Sequence, residues 1–139
     1  MAPPFCLKGN NCIAGAYLYY NKTNSSGNPS RGCFPVIASN KNLSETFFNT
    51  PSDDTYTLFN DAVLRVIVVP GFKLQLYQND NYGGDNAYVD NTSQNTAYYS
   101  HIYDIKNSSN QSLSRRTVSS VKLFYKDNGT LTEITNDNS

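Results

Sequence analysis

Short apolar runs separated by polar clusters make up most of the chain from Ala16 onward. The runs are rich in Val, Tyr, Phe, Leu and Thr, and the clusters between them are rich in Asn, Asp, Gly and Ser, a pattern typical of β-strands joined by turns. The clearest predicted strands are VLRVIVV (63–69), FKLQLY (72–77), NAYV (86–89) and VSSVKLFY (118–125). The turn-forming dipeptide Pro70-Gly71 separates the first two of these strands. Long helical periodicity is absent, so the pattern predicts an all-β protein.

Three segments depart from this pattern. Residues 1–14, which include two consecutive prolines, predict an irregular N-terminal extension. The stretch NTAYYSHIYDI (95–105) is compatible with a single helical turn between strands. Residues 127–139 predict a polar C-terminal tail, within which TLTEIT is a short strand candidate. A chain of 139 residues is long enough for one domain with a real core, and the pattern places that domain at residues 15–126.

The domain contains an internal repeat. AYLYYNKTNSSG (16–27) aligns with KLQLYQNDNYGG (73–84) at an offset of 57 residues. This alignment pairs Tyr20 with Tyr77, Asn24 with Asn81 and Gly27 with Gly84. Further along, NDAVLRVIVV (60–69) aligns with RRTVSSVKLF (115–124) at an offset of 55 residues. The chain is therefore predicted to consist of two copies of one β unit.

The second copy resembles the Greek-key motif of the βγ-crystallin superfamily. That motif has an aromatic residue, a second aromatic residue five positions later, and then x-G. Within LYQNDNYGG these positions are matched by Tyr77, Tyr82 and Gly84. A strand that opens with Ser-Ser-hydrophobic follows in the family, and Ser119-Ser120-Val121 matches it here. The preceding VVPGFKLQLY is also similar to the opening of the family's second motif.

The resemblance implies a βγ-crystallin-like sandwich of two Greek-key motifs, at about residues 15–69 and 70–126. It is weaker in the first motif, where Ser25 replaces the second aromatic residue. It also implies that NDNYGG is a structural hairpin, whose glycine supplies a positive φ. By spacing alone, Asn79 to Asp90 imitates an EF-hand loop. However, predicted strands flank this stretch, and its first position lacks a carboxylate, so the hairpin is the preferred interpretation.

The resemblance further implies a calcium site. Members of the family bind calcium through a stretch of the form N/D-N/D-x-x-S/T-S in each motif, and the ligands cross between motifs. The first copy (60–65) keeps the acidic half of this stretch and loses the hydroxyl half, whereas the second copy (115–120) does the reverse. Crossing the two copies predicts one calcium site, formed by Asp61, the carbonyl of Ala62, and Ser119. The opposite crossing pairs Arg116 with Leu64 and predicts no site.

The same residues also have ordinary structural interpretations. Asp61 would cap a turn or form a salt bridge with an arginine, and Ser119 and Ser120 would pack or hydrogen-bond at the start of a strand.

Charge and composition limit the classes of function that fit the sequence. The chain has 11 basic and 11 acidic residues and no net charge, which argues against nucleic acid or an anionic membrane as the partner. No apolar run approaches the roughly 20 residues that span a bilayer, and the N-terminus shows no signal peptide. The sequence thus predicts a soluble chain, either extracellular or part of a particle or coat. The single histidine, His101, lies among tyrosines, and no catalytic motif is present, so the sequence predicts no enzyme.

The cysteines and sequons do not decide between a secreted protein and one in a reducing compartment. Cys6, Cys12 and Cys33 allow three alternative single disulfides, or three reduced thiols. Sequons of the form N-x-S/T begin at Asn21, Asn24, Asn42, Asn91, Asn107, Asn110 and Asn128, more than the Asn-rich composition alone produces, which is a weak indication of secretion.

These observations predict a non-catalytic structural or binding module, with protein partners or self-assembly. It would act as a scaffold or assembly component, for example of a virion or an extracellular coat, stabilised by one calcium ion. Eleven tyrosines and seven phenylalanines would suit a carbohydrate-binding face, a protein interface or a core. The alternative is a secreted protease inhibitor or antimicrobial toxin, because CLKGNNC before YLYY resembles inhibitors of this fold. A free-thiol count distinguishes the two, with one thiol expected for a stapled secreted protein and three for a reduced one.

Overall fold

The computed structural model describes residues 14–23, 29–43, 47–49, 56–58, 63–113 and 117–135. The strands in this part of the chain are β1 (Ala16–Thr23), β2 (Pro29–Val36), β3 (Phe47–Asn49), β4 (Tyr56–Leu58), β5 (Val63–Val68), β6 (Phe72–Asn79), β7 (Gly83–Asp90), β8 (Tyr98–His101), β9 (Ser120–Asp127) and β10 (Thr130–Glu133). 3-10 turns lie at Asp80–Tyr82 and Ile102–Asp104. Within the described ranges, no helix is long and apolar enough to cross a membrane.

Eight of these strands form two four-stranded antiparallel sheets with the same plan. The first sheet has the order β2-β1-β5-β8 and the second has the order β10-β9-β6-β7. In the first copy of the repeat β1 pairs with β2 and β5, and in the second copy β6 pairs with β7 and β9. This equivalence confirms the all-β, two-motif architecture that the sequence predicts. Strands β3 and β4 form a separate two-stranded antiparallel sheet.

Each motif also places one segment beside the other motif's sheet. Strand β8 of the second motif pairs with β5 of the first, with His101 opposite Arg65. Residues 38–43 of the first motif lie along β9, where Asn40 and Val121 exchange backbone hydrogen bonds of 2.9 and 3.0 Å. Backbone hydrogen bonds therefore join the two motifs in both sheets.

The core lies between the two sheets. Alternate side chains of β6 are buried, as are Val66 and Val68 of β5, as expected where one side of a sheet faces a core. Side chains without solvent exposure include Leu18, Val66, Val68, Leu74, Leu76 and Leu123. Burying each of these contributes about 1.5–3 kcal/mol relative to an exposed position. The opposite side chains of both sheets therefore remain available at the surface.

The segment predicted as a polar tail contributes to this architecture. The short strand predicted there is present as β10, which pairs with β9, and Ile134 is buried in the core. The Ser39 hydroxyl donates a hydrogen bond to the Glu133 carboxylate at 2.7 Å and accepts one from the Leu123 N–H at 3.0 Å. The second sheet consequently extends beyond residue 126.

The predicted helical turn within 95–105 corresponds to the 3-10 turn at Ile102–Asp104. The four residues before it form β8, whose partner β5 belongs to the other motif.

Among the sequon asparagines, Asn91 is buried, and its side-chain amide donates hydrogen bonds to the carbonyls of Val68 and Thr96, both at 2.9 Å. A glycan on that nitrogen is incompatible with this pair of bonds, since it would replace one of the two amide hydrogens.

Candidate functional site

Residues 79–84 form a folded hairpin between β6 and β7. Asn81 and Tyr82 have positive φ values of 55° and 61°, and Gly84 has a φ of 74°. The rings of Tyr77 and Tyr82 contact each other at a centroid distance of 5.5 Å and an angle of 63°, and burial raises the pKa of both phenols. The hairpin prediction is therefore confirmed. The EF-hand interpretation is excluded because β6 and β7 run through the stretch.

Ser120 attaches this hairpin to β9. Its hydroxyl donates a hydrogen bond to the Asn79 carbonyl at 2.6 Å and accepts one from the Tyr82 N–H at 3.1 Å. Ser120 has no solvent exposure. The resemblance to the family's Ser-Ser-hydrophobic strand therefore has a physical reason here, because this serine stabilises a turn whose backbone is strained.

Of the three residues predicted to bind calcium, the structure describes only Ser119. Ser119 is buried, its N–H donates to the Tyr77 carbonyl at 2.9 Å, and its carbonyl accepts from the Leu43 N–H at 2.9 Å. Asp61 and Ala62 lie outside the described residues, as does Arg116. In the described ranges, no group of three or more His, Cys, Asp or Glu side chains is placed to hold a metal. The calcium site stays a prediction.

This prediction is tested by the melting temperature in chelator and in millimolar calcium. A ligand at about 100 times its dissociation constant adds roughly 2.7 kcal/mol, which raises the melting temperature of a chain of this size by several degrees. The substitution Asp61→Ala is expected to abolish the rise, whereas Asp104→Ala, at an exposed position, leaves it intact. Identical melting temperatures with and without calcium would exclude the site.

The outward side of the first sheet is aromatic. The strand register aligns two rows of side chains across the four strands: Cys33, Tyr19, Arg65 and His101 in one, and Pro35, Tyr17, Ile67 and Tyr99 in the other. Tyr103 follows in the 3-10 turn, and its ring stacks on His101 at 5.1 Å and 18°. We call Tyr17, Tyr19, Tyr99, His101 and Tyr103 the tyrosine face. It brings together residues that are distant in sequence.

The rings of the tyrosine face are partly exposed and contact one another mostly edge-on. Tyr99 and Tyr103 expose 53% and 47% of their surface. The Tyr99 ring meets Tyr19 at 6.4 Å and 72°, and His101 at 6.5 Å and 67°. Such T-shaped contacts are favourable between aromatic rings.

The aromatic rings on the outward side of the second sheet differ from those of the tyrosine face in that lysine side chains cover them. The ammonium of Lys73 lies 4.7 Å from the ring centre of Tyr88 and 5.6 Å from that of Phe124. The ammonium of Lys122 lies 4.6 Å from the ring centre of Tyr82. Cation–π contacts and the lysine stems together shield these rings from solvent. Among the described residues, the exposed large hydrophobic side chains are Tyr98, Tyr99 and Tyr103 around β8, and Leu131 on β10.

A groove of about 530 Å³ opens next to the tyrosine face. Tyr17 and Pro35, which belong to one of the two aromatic rows, form part of its lining, and Val36, Ala38 and Val121 provide apolar contacts. An apolar recess therefore adjoins the aromatic surface.

Cys33 and His101 do not form a catalytic pair. They lie on β2 and β8, the two outer strands of the first sheet, about 14 Å apart at a strand spacing of about 4.8 Å. Desolvation raises the pKa of the Cys33 thiol, and the hydrogen bond with Tyr19 only partly offsets this, whereas a nucleophilic cysteine needs a lowered pKa. Cys33 is an exposed free thiol. The two alternative disulfides that use Cys33 are therefore not formed in this structure. Cys6 and Cys12 lie outside the described residues, so a disulfide between them stays a prediction.

Comparison with known proteins gives matches at the level of structure alone. No protein-family model and no curated protein matches the sequence. A solved structure described under the evolution of the eye lens βγ-crystallin domain fold has a TM-score of 0.52 and 15% sequence identity, over 87% of this chain and 95% of that chain. A βγ-crystallin domain from Flavobacterium johnsoniae has a TM-score of 0.47 and 18% identity, over 84% of this chain and 98% of that chain.

The first of these similarities agrees with the arrangement of two four-stranded antiparallel sheets. The protein has the βγ-crystallin fold, built from two Greek-key motifs.

Proposed function

We propose that the protein is a non-catalytic binding module in a protein assembly, and that the tyrosine face is the surface that contacts its partner. The observation that carries this proposal is the aromatic surface formed by the two aligned side-chain rows and the adjoining Tyr103, on which Tyr99 and Tyr103 are about half exposed. Tyrosine and arginine are enriched at the energetically important positions of protein interfaces, and lysine and glutamate are depleted. The rows contain tyrosines and one arginine, and neither lysine nor glutamate.

The strands that carry the tyrosine face also contribute buried side chains to the core, which favours binding of a partner. Leu18 and Val66 lie on the opposite side of the same strands and are fully buried, so the backbone under the rings is held by the core. The ring-to-ring contacts restrict the side chains before a partner arrives. Less conformational entropy is then lost on binding, which raises affinity without additional contact area.

Replacing Tyr99 and Tyr103 together with serine is expected to release the protein from its assembly. Truncating a tyrosine at an energetically dominant position of an interface costs about 2 kcal/mol or more, which is about 30-fold in affinity. The measurement is size-exclusion chromatography of the tagged protein from its native source. Wild type is expected to elute with its partner at fixed stoichiometry, and the double variant as a free chain.

Leu131→Ser provides the matched control, because Leu131 is an exposed hydrophobic residue on the second sheet. This variant is expected to stay in the assembly, and the melting temperatures of all three proteins to agree within a few degrees, since exposed positions contribute little to stability. A double variant that remains in the assembly would show that the tyrosine face is not the interface.

A further inference from the structure

Arg65 is the charged residue in the two rows of the tyrosine face. It lies exposed in β5, with Tyr19 on one neighbouring strand and His101 on the other. The structure gives Arg65 no ion pair with any other described residue. The face therefore presents a guanidinium group whose charge is not balanced by another described side chain of the two rows.

On the second sheet, by contrast, an acidic residue lies next to a lysine. There Lys73 lies directly opposite Asp90 in the strand register. A hydrogen bond from the Thr92 hydroxyl lowers the pKa of Asp90, and the charge of Lys73 contributes in the same direction. No described acidic residue has this position relative to Arg65, because its neighbours across the strands are Tyr19 and His101.

We infer that the partner segment bound at the tyrosine face presents a carboxylate to Arg65; this inference rests on the proposed function. A guanidinium group binds a carboxylate through two parallel hydrogen bonds, which the ammonium of lysine does not provide. Tyr19 and Tyr99 lie beside this position and would exclude water from the ion pair once a partner is docked, which strengthens it.

A second copy of the chain is a poorer occupant than an acidic partner. In a two-fold symmetric dimer the same surface patch contacts itself, so both copies would bring Arg65 into one interface. The rows of the second copy offer Arg65 no carboxylate, because they contain no acidic residue, and like charges close to the symmetry axis oppose association. The face thus selects a different chain, with apolar or aromatic side chains next to an aspartate, a glutamate or a chain-terminal carboxylate.

The test uses two random copolymers as probes, poly(Glu,Tyr) and poly(Lys,Tyr), each added to the isotope-labelled protein and followed by amide NMR. Poly(Glu,Tyr) is expected to shift or broaden the amides of Arg65, Tyr99 and His101, and poly(Lys,Tyr) is expected to leave them unchanged. Arg65→Met keeps the aliphatic stem and removes the charge. It is expected to weaken binding of poly(Glu,Tyr) about tenfold, as for other close charge pairs at interfaces, with an unchanged melting temperature.

Equal responses to the two copolymers, or full affinity of the Arg65→Met variant for poly(Glu,Tyr), would overturn the inference. So would a lack of response to both. Changes at the same amides on dilution without any copolymer would identify a second copy as the occupant and would also overturn it. These outcomes test the acidic partner and not the proposed function. A protein that leaves its assembly when Tyr99 and Tyr103 are replaced, yet does not distinguish the copolymers, retains the interface and loses only the acidic partner.

Discussion

The substitution Gly15→Ala is expected to lower the free energy of unfolding by about 3 kcal/mol, at the upper end for overpacked cores. Gly15 is buried, and a Cβ atom built on it would lie 2.3 Å from Cδ1 and 2.6 Å from Cε1 of Phe72. The backbone has little freedom to move away. The Gly15 N–H donates to the Val36 carbonyl and the Gly15 carbonyl accepts from the Val69 N–H, each at 2.9 Å. Phe72 in turn packs against Tyr125 at 5.0 Å.

The loss is measured by urea unfolding. Gly83→Ala is the matched control, because its added Cβ would have its nearest contact at 3.5 Å and its φ is −106°; this variant is expected to change stability by less than about 1 kcal/mol. Adding Phe72→Leu to Gly15→Ala should restore part of the loss, giving a coupling energy of about 1 kcal/mol or more. Equal stability of the two alanine variants would show that the glycine does not accommodate the Phe72 ring.

The substitution Ser120→Ala is expected to cost about 2–3 kcal/mol. It removes the hydrogen bond to the Asn79 carbonyl and the one from the Tyr82 N–H, and both groups belong to a hairpin with positive φ at Asn81 and Tyr82. Leaving partly buried backbone groups without a partner costs about 1–3 kcal/mol each, less where water reaches them. The hairpin then lacks its attachment to β9.

Two measurements separate this effect from a general loss of packing. Urea unfolding gives the change in stability, and hydrogen exchange at the Tyr82 amide is expected to accelerate more than exchange in β5, because the lost contact is local to the hairpin. Ser93→Ala, at an exposed position, is expected to stay within about 0.5 kcal/mol of wild type. A Ser120→Ala protein as stable as the Ser93→Ala protein would contradict the role given to this hydroxyl.

The folded hairpin was predictable from sequence because its determinants are local. Tyr77, Tyr82 and Gly84 lie within eight positions of one another, and the Ser-Ser pair that completes the motif precedes a strongly apolar strand. The repeat likewise identified β1 and β6 as equivalent strands of the two motifs. Neither inference needed knowledge of which distant strands are neighbours.

Strand β8 and the segment 38–43 were not predictable in the same way. Each pairs with a strand of the other motif, and the short run Tyr98–His101 carries no local signal for that partner. Strand β10 was easier, because TLTEIT alternates in the manner of a strand. Its burial of Ile134 depends on the packing of residues far away in sequence.

The tyrosine face illustrates the same limit for function. Tyr17 and Tyr19, and separately Tyr99 and His101, are spaced by two residues, which places each pair on one side of its strand. That signal was present in the sequence. The meeting of the two pairs depends on the order β1-β5-β8, which the sequence alone did not provide. The predicted calcium ligands came from the resemblance to the family, and two of them lie outside the described residues.

The most direct test of the account is hydroxyl-radical footprinting of the protein, free and within its native assembly. Tyr99 and Tyr103 are expected to be modified in the free chain and protected in the assembly, whereas Leu131, an exposed residue on the second sheet, is expected to be modified equally in both. Protection of Leu131 with full modification of Tyr99 and Tyr103 would place the interface on the second sheet and contradict the account.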